Sequence, residues 1–220
     1  MSPSRLILLR HGRTAWNEQR RFQGQANPPL DAIGRAQAYE LASFIVELSP
    51  QVLLTSDAAR AVETAEPIAE RTGLDAVADV RLRERSLGHW EGLTRDEVAE
   101  RYPDEFADWI AGRDVASRGG ETREEVAERG LAAVADIDAV ETAVVITHSA
   151  TAMAISCALL GLSQKVHVLS PLANCHWTEL VCDPAANLWR LRAHNVGAPG
   201  AVLPIPSHAA PAEDAPDAEA

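Results

Sequence analysis

Four groups of residues in this chain have the types and spacing to do chemistry, and each adjoins a short apolar run. The first is Arg10-His11-Gly12-Arg13-Thr14-Ala15-Trp16-Asn17, which follows Leu6-Ile7-Leu8-Leu9 directly. An apolar strand that runs into an Arg-His-Gly turn places these side chains where an open α/β sheet keeps its ligand crevice. An arginine there clamps an anionic oxygen with two parallel hydrogen bonds. A neutral imidazole there acts as a nucleophile at phosphorus, and a glycine lets the backbone turn tightly beside a ligand. Taken alone, the triplet fits a structural histidine as well. The other three groups supply the context that such a motif needs.

The second group is Val52-Leu53-Leu54-Thr55-Ser56-Asp57-Ala58-Ala59-Arg60. It predicts a short strand, then a helix with Ser56 or Asp57 as its N-cap and Arg60 in its first turn. The free N–H groups of a first turn suit an anion. A cation there opposes the helix dipole, which favours a functional arginine over a merely solvated one. The third group, Arg81 to Gly92, surrounds one carboxylate, Glu84, with arginines. Glu84 reads either as half of a weak surface ion pair or as the acid that protonates a leaving alkoxide. The fourth, Ala143-Val144-Val145-Ile146-Thr147-His148-Ser149-Ala150, reads as a parallel strand buried on both faces. It delivers His148 to the same sheet edge as His11.

In combination these segments resemble the histidine phosphatase superfamily, in its phosphoglycerate-mutase-like branch. The likeness rests on Arg10-His11-Gly12, the Ser-Asp-x-x-Arg-Ala-x-x-Thr-Ala segment around Arg60, Leu82-Arg83-Glu84 with Trp90-Glu91-Gly92-Leu93, and Thr147-His148. They occur in the family's order over roughly residues 4–195. The resemblance implies a three-layer α/β/α sandwich with a mostly parallel central sheet. It implies that His11 becomes a phosphohistidine, and that Arg10, Arg60 and His148 bind the non-bridging phosphate oxygens. Glu84 would protonate the leaving oxygen, then deprotonate the attacking water. Asn17, Gln23 and Gly24 match positions that line the pocket in relatives. Ser149 replaces a common glycine and keeps its backbone N–H available to phosphate. Phosphoryl transfer is mostly positioning and electrostatic stabilisation, so this scheme requires neither metal nor cofactor.

The substrate implied is a small phosphorylated metabolite. Glucosyl-3-phosphoglycerate is the specific candidate, because relatives acting on it share the size, short cap and acidic balance of this chain. Two alternatives stay open: a phosphoglycerate mutase, and a catalytically idle phosphate-binding protein. Leu87 stands where mutases of the branch carry a tyrosine. The single lysine, Lys165, lies far from the insert where they carry a lysine and an Arg-Arg pair, for which Arg95 or Arg113 substitutes only in part. His148-Ser149, in place of His-Asp, departs from the acid-phosphatase and phytase branch. An idle protein would be expected to have lost one of the five catalytic positions, and all are present. His11 must be neutral to attack, which the neighbouring cations favour, and an acceptor such as a backbone carbonyl must hold one ring N–H to fix the tautomer.

Around these residues the pattern predicts strands at 5–10, 51–55, 76–79, 142–147, 174–181 and 188–193. Helices are expected at about 31–48, 58–71, 122–137 and 150–160, with Gly73 closing the second. Two short helices split at Pro103 occupy 94–112. With the Gly119-Gly120-Glu121-Thr122 turn they read as a cap insert (94–121) within one domain of residues 1–196. Residues 197–220 read as a disordered Ala/Pro/acidic tail. Trp16 and Trp109 are placed to border the pocket, although packing is the commoner role of tryptophan.

The 220 residues suffice for one sizeable α/β core. The three cysteines lack metal-ligand spacing, and Cys175 and His176, adjacent on a strand, point to opposite faces, so zinc is not expected. Their odd number fits a reducing cytoplasm. Met1 to Arg5 lacks a signal-peptide pattern, and no apolar run approaches the roughly 20 residues of a membrane span. A net charge of −12 argues against nucleic acid and anionic membranes as partners. Relatives are often dimers, and the two C-terminal strands offer an edge for a homodimer.

Overall fold

A computed structural model describes residues 3–165, 168–183, 185–186 and 188–198. Nearly all of the expected tail, residues 199–220, lies outside the described residues. Six strands form one sheet in the order β3-β2-β4-β1-β5-β6. β1 (Arg5–Arg10), β2 (Val52–Thr55), β3 (Ala76–Ala78) and β4 (Thr142–Thr147) are mutually parallel. β5 (Trp177–Asp183) runs antiparallel to β1, and β6 (Leu188–Val196) antiparallel to β5. The sheet is thus mixed and mostly parallel, as the sequence implies.

Alternation along the strands builds the layers. Ile7, Leu9, Val144 and Ile146 pack into one core with α2 (Ala32–Glu47) and α3 (Ala59–Thr72). Leu6, Leu8, Ala143 and Val145 pack into the other with α6 (Arg123–Ala135) and α7 (Ser149–Leu159). Every residue of β4 is buried, which is why it reads as an uninterrupted apolar run. Burying each such Leu, Ile or Val contributes about 1.5–3 kcal/mol. The two helices of the second layer lie close together at Gly130, where a Cβ would come within 2.6 Å of Ile155 Cγ1.

Helix starts follow local chemistry. Asp31 caps α2 by accepting from Gly34 N–H at 2.7 Å. Thr122 with Glu125, and Thr94 with Glu97, form capping boxes on α6 and on α4 (Arg95–Arg101). The start of α3 differs from expectation. Its N-cap is Ala58; Ser56 lies outside the helix, and its hydroxyl accepts the Ala58 N–H at 3.3 Å without reaching the helix's own N–H groups. The first helical N–H, that of Ala59, goes to Asn27 Oδ1 at 2.7 Å, a partner 32 residues away that no local pattern reveals. β5 also starts later than predicted. Residues 173–176 form a turn, with Cys175 at φ +55° and its N–H donated to Arg10 O at 3.1 Å.

Between β3 and α6 the chain leaves the sheet and forms α4, α5 (Pro103–Ile110) and a 3-10 turn at Ala116–Arg118. Trp90, Val98 and Val115 are buried there, packed by Phe22, Leu87, Tyr102, Phe106 and Trp109 into a third, separate cluster. Trp109 meets Phe22 edge-on at 5.4 Å, so it packs this cluster. No helix of the described residues is long and apolar enough to cross a membrane.

Candidate active site

The parallel register of β1 and β4 pairs Arg10 with Thr147, so His11 and His148 leave adjacent strands at the same level. The His11 N–H donates to Thr147 O at 3.0 Å, and the two imidazole rings meet edge-on with centroids 5.1 Å apart. Both side chains are buried. His11 Nδ1 lies 2.7 Å from Gly12 O. A carbonyl only accepts, so Nδ1 carries the proton and Nε2 carries the lone pair. Burial, reinforced by Arg60 and Arg10, pushes the His11 imidazole well below 6.5. The acceptor that the chemistry required is therefore the next residue's own carbonyl.

Asn174, which no motif singled out, donates from Nδ2 to His11 O at 3.0 Å and to Gly12 O at 3.2 Å. It thus steadies the carbonyl that sets the His11 tautomer. Only the turn before β5 brings it there, which accounts for its silence in the sequence. Gly12 itself is not in the left-handed region. It is glycine because a Cβ would strike Gly34 O at 2.6 Å, so the loop lies directly on the first turn of α2. The Gly12 N–H goes to Thr64 Oγ1 on α3 at 3.0 Å.

Arg60 is 1% exposed, yet its partners are mostly carbonyls: Ala26 O at 2.7 Å and Gly24 O at 2.9 Å. Burial, with Arg10 adding to it and Glu84 opposing, brings its guanidinium down to about 10. Its Nε–H points at His148 Nδ1 (3.3 Å), so His148 accepts there and donates from Nε2 to Ser56 Oγ at 3.0 Å. Burial and then Arg60 push His148 well below 6.5 as well. Arg10 donates to Leu172 O, while its Nε is buried without a partner among the described residues. The Ser149 hydroxyl accepts the Leu172 N–H at 3.0 Å, so it steadies the residue on whose carbonyl Arg10 rests.

The positions expected to line the pocket are also largely tied to the framework. Gly24 has φ +46°, and a Cβ there would overlap Glu91 Oε1 at 2.2 Å. Gln23 Oε1 lies 3.1 Å from the Thr14 hydroxyl. Asn17 closes a capping box with Thr14 on the one-turn helix α1 (Ala15–Glu18), accepting the Thr14 N–H at 3.0 Å.

Glu84 is not the surface ion pair that its neighbours suggest. Arg81 pairs with Asp79 and Asp136, Arg83 with Asp57, and Arg85 with Asp114. The Glu84 carboxylate instead accepts from the first turn of α7, Ala150 N–H at 3.3 Å and Thr151 N–H at 3.2 Å, while the Thr151 hydroxyl donates to Arg83 O at 2.8 Å. The Arg85 N–H adds a third donor at 2.8 Å. That turn immediately follows His148, so the acid and the two histidines share one edge. No group of three or more His, Cys, Asp and Glu that could hold a metal ion occurs among the described residues.

Two buried guanidinium groups and a neutral histidine at the carboxyl ends of neighbouring parallel strands suit an enzyme that handles phosphoryl groups. The chain belongs to the histidine phosphatase superfamily, branch 1, which it matches over residues 6–197, and it is a phosphatase. Glucosyl-3-phosphoglycerate phosphatase of Mycolicibacterium vanbaalenii is 34% identical over 218 residues, covering 90% of this chain and 97% of the relative. Phosphoserine phosphatase 1 of Hydrogenobacter thermophilus is 34% identical over 161 residues, 71% of this chain and 76% of the relative. The solved mycobacterial glucosyl-3-phosphoglycerate phosphatase in complex with VO3 superposes with a TM-score of 0.79 at 35% identity, over 88% of this chain and all of that one.

Proposed function

We propose that this phosphatase hydrolyses glucosyl-3-phosphoglycerate through a phosphohistidine on His11. The observation that carries the chemistry is the His11 Nδ1–Gly12 carbonyl bond, which leaves Nε2 as the nucleophile. Nε2 attacks phosphorus, the ester P–O bond breaks, and Glu84 passes its proton to the departing oxygen. Arg10 and Arg60 take the charge on the non-bridging oxygens, and His148 joins them by turning its Nε2–H from Ser56 Oγ to one of these oxygens. The Glu84 carboxylate then accepts a proton from water as that water attacks phosphorus. The N–P bond breaks, inorganic phosphate leaves, and Glu84 is protonated again. Asn17, Gln23, Gly24 and Ser149 shape the pocket around the phosphoryl group. Each group that moves a proton or bonds to phosphorus in this scheme is a side chain of the protein, so the scheme calls for no metal or cofactor.

The relatives that match nearly end to end support the choice of substrate. The free cysteines Cys157, Cys175 and Cys182 fit a cytoplasmic enzyme, and the net charge of −12 fits one without nucleic-acid partners. The segment 94–121 would act as the cap that selects substrate, and the β6 edge of the sheet would allow, without requiring, a homodimer. The test is phosphate release in EDTA from a panel of esters that includes glucosyl-3-phosphoglycerate, phosphoserine and 3-phosphoglycerate, with His11→Ala as control. Fast release from the sugar ester, lost in the variant, is the expected result. Transfer between phosphoglycerate positions without net release would replace this reading with a mutase.

A further inference from the structure

Glu84 is held at both ends by the same pair of helices. The first turn of α7 receives its carboxylate, and α6 grips its backbone through Arg129. All five guanidinium N–H groups of Arg129 find acceptors around this loop. Nη1 donates to Arg81 O at 2.6 Å and Arg83 O at 2.7 Å, and Nη2 to Glu84 O at 3.1 Å. Nε and Nη2 meet the two oxygens of Glu121 at 2.7 and 3.0 Å. Glu121 completes the grip beyond Glu84. Its Oε2 takes the Ser86 N–H at 2.8 Å, and its own N–H donates to Ser86 O at 3.0 Å. The residue after Arg129 is Gly130, where α6 presses on α7, so neither helix shifts without moving the acid against its donors.

We propose that Arg129 and Glu121 are positioning residues for Glu84, setting its acid catalysis by fixing the backbone on both sides of it. The proposal rests on the reading of Glu84 as the proton donor. Neither residue hydrogen-bonds to His11, Arg10, Arg60 or His148 among the described residues, and Arg129→Lys keeps the charge that reaches His148, so loss of the fork should displace the acid and spare the phosphoryl pocket. Displacement of a catalytic group by about 1 Å costs roughly 100-fold in rate. Lysine does not replace Arg129, because a point charge with three donors does not span five acceptors in a fork. Glu121 lies where the excursion from the sheet returns to α6, so the grip also joins that segment to the acid.

The test compares kcat/KM for p-nitrophenyl phosphate, whose anion departs without a proton, with that for a simple alkyl phosphate, whose alkoxide does not. This ratio ends at the first irreversible step, so the later role of Glu84 toward water does not enter it. In Arg129→Lys, Arg129→Gln and Glu121→Gln, the alkyl ester should slow by about 100-fold and the nitrophenyl ester by less than about threefold. Vanadate affinity should stay within about threefold of wild type. Equal slowing of both esters, or no slowing of the alkyl ester, overturns the proposal. If the Arg129 variants fail to fold, Glu121→Gln, which keeps the side-chain size, decides by the same ratio. Absence of a selective loss in Glu84→Gln would remove the underlying assignment. A selective loss in Glu84→Gln without one in the Arg129 and Glu121 variants would remove this inference alone.

Discussion

At the sheet edge, Arg10 and Arg60 turn their guanidinium groups toward the carbonyls of Leu172, Gly24 and Ala26. Around the segment that leaves the sheet, Arg81, Arg83, Arg85 and Arg113 each meet a carboxylate. Carbonyls orient a cation without neutralising it, whereas carboxylates cancel its charge. The edge therefore keeps two buried positive charges for a ligand, and the other region uses arginine as structural cross-links. Arg118 is an intermediate case, buried over Trp90 at 5.4 Å with Nε and Nη1 unpaired among the described residues. Within one acidic chain, the identity of an arginine's partner separates binding from architecture better than its burial does.

The largest effects should follow that division. His11→Ala should lower kcat by about 10⁴-fold or more, because it removes the nucleophile. Arg60→Ala should cost about 10²–10³-fold in kcat/KM, the usual loss when one preorganised charge donor is removed. Arg113→Ala, which breaks an exposed pair with Asp108, should leave kcat/KM within about twofold of wild type. Steady-state kinetics on one ester checks all three. A large loss in Arg113→Ala would show that the cross-linking arginines also contact substrate.

The same division explains what could be read without coordinates. His11 and His148 were legible because each ends a buried strand, and strand ends are written in uninterrupted apolar runs. Glu84 was legible only as two alternatives, since sequence neighbours suggested ion pairs that the fold assigns to Asp57, Asp79 and Asp114. Asn174, Glu121 and Arg129 were not legible. Asn174 and Arg129 act through backbone carbonyls 45 to 163 residues distant, and Glu121 through the backbone of Ser86, and backbone groups carry no side-chain signature. Asn27 at the start of α3 was hidden for the same reason. Ser149 was picked out by position, but its hydroxyl serves Leu172, and only tertiary structure shows that.

The aromatic cluster should matter for stability first. Trp90 is fully buried and donates from Nε1 to Glu105 at 2.9 Å. Trp90→Ala should cost about 3–5 kcal/mol of stability, read from urea unfolding. If this cluster opens separately from the sheet, hydrogen exchange in α4 and α5 should rise before that in β1 and β4.

The two buried histidines give the edge a pH dependence of its own. Both are held well below 6.5, so under mildly acidic conditions the unfolded chain binds protons that the folded chain refuses. Stability is then fully present above about pH 6.5 and is lost as the pH falls below it toward the depressed folded values. Asp57, Asp79 and Glu121 are also shifted down, but their ordinary values near 4 place their contribution in a more acidic window. The melting temperature should therefore fall between about pH 7 and pH 5.5, and His148→Asn should flatten that fall. A wild-type curve that stays flat over this interval would mean that the histidines titrate normally.

The smallest effect offers the sharpest comparison. Thr94 and Thr122 form the same capping box, each accepting the N–H of the third helical residue at 3.2 Å. Replacing either by alanine should cost about 1 kcal/mol of stability. α4, which Thr94 starts, packs among aromatics, whereas α6, which Thr122 starts, carries Arg129 and with it the backbone of Glu84. Thr122 also follows Glu121 directly. Fraying the first turn of α6 should loosen the grip on the acid, while fraying α4 should not. Thr122→Ala is thus expected to slow alkyl phosphate hydrolysis by roughly threefold and to spare the nitrophenyl ester, and Thr94→Ala to leave both unchanged. Equal kinetics in the two variants, at equal stability loss, would mean that the hold on Glu84 comes from the α6–α7 contact at Gly130 and not from the start of the helix.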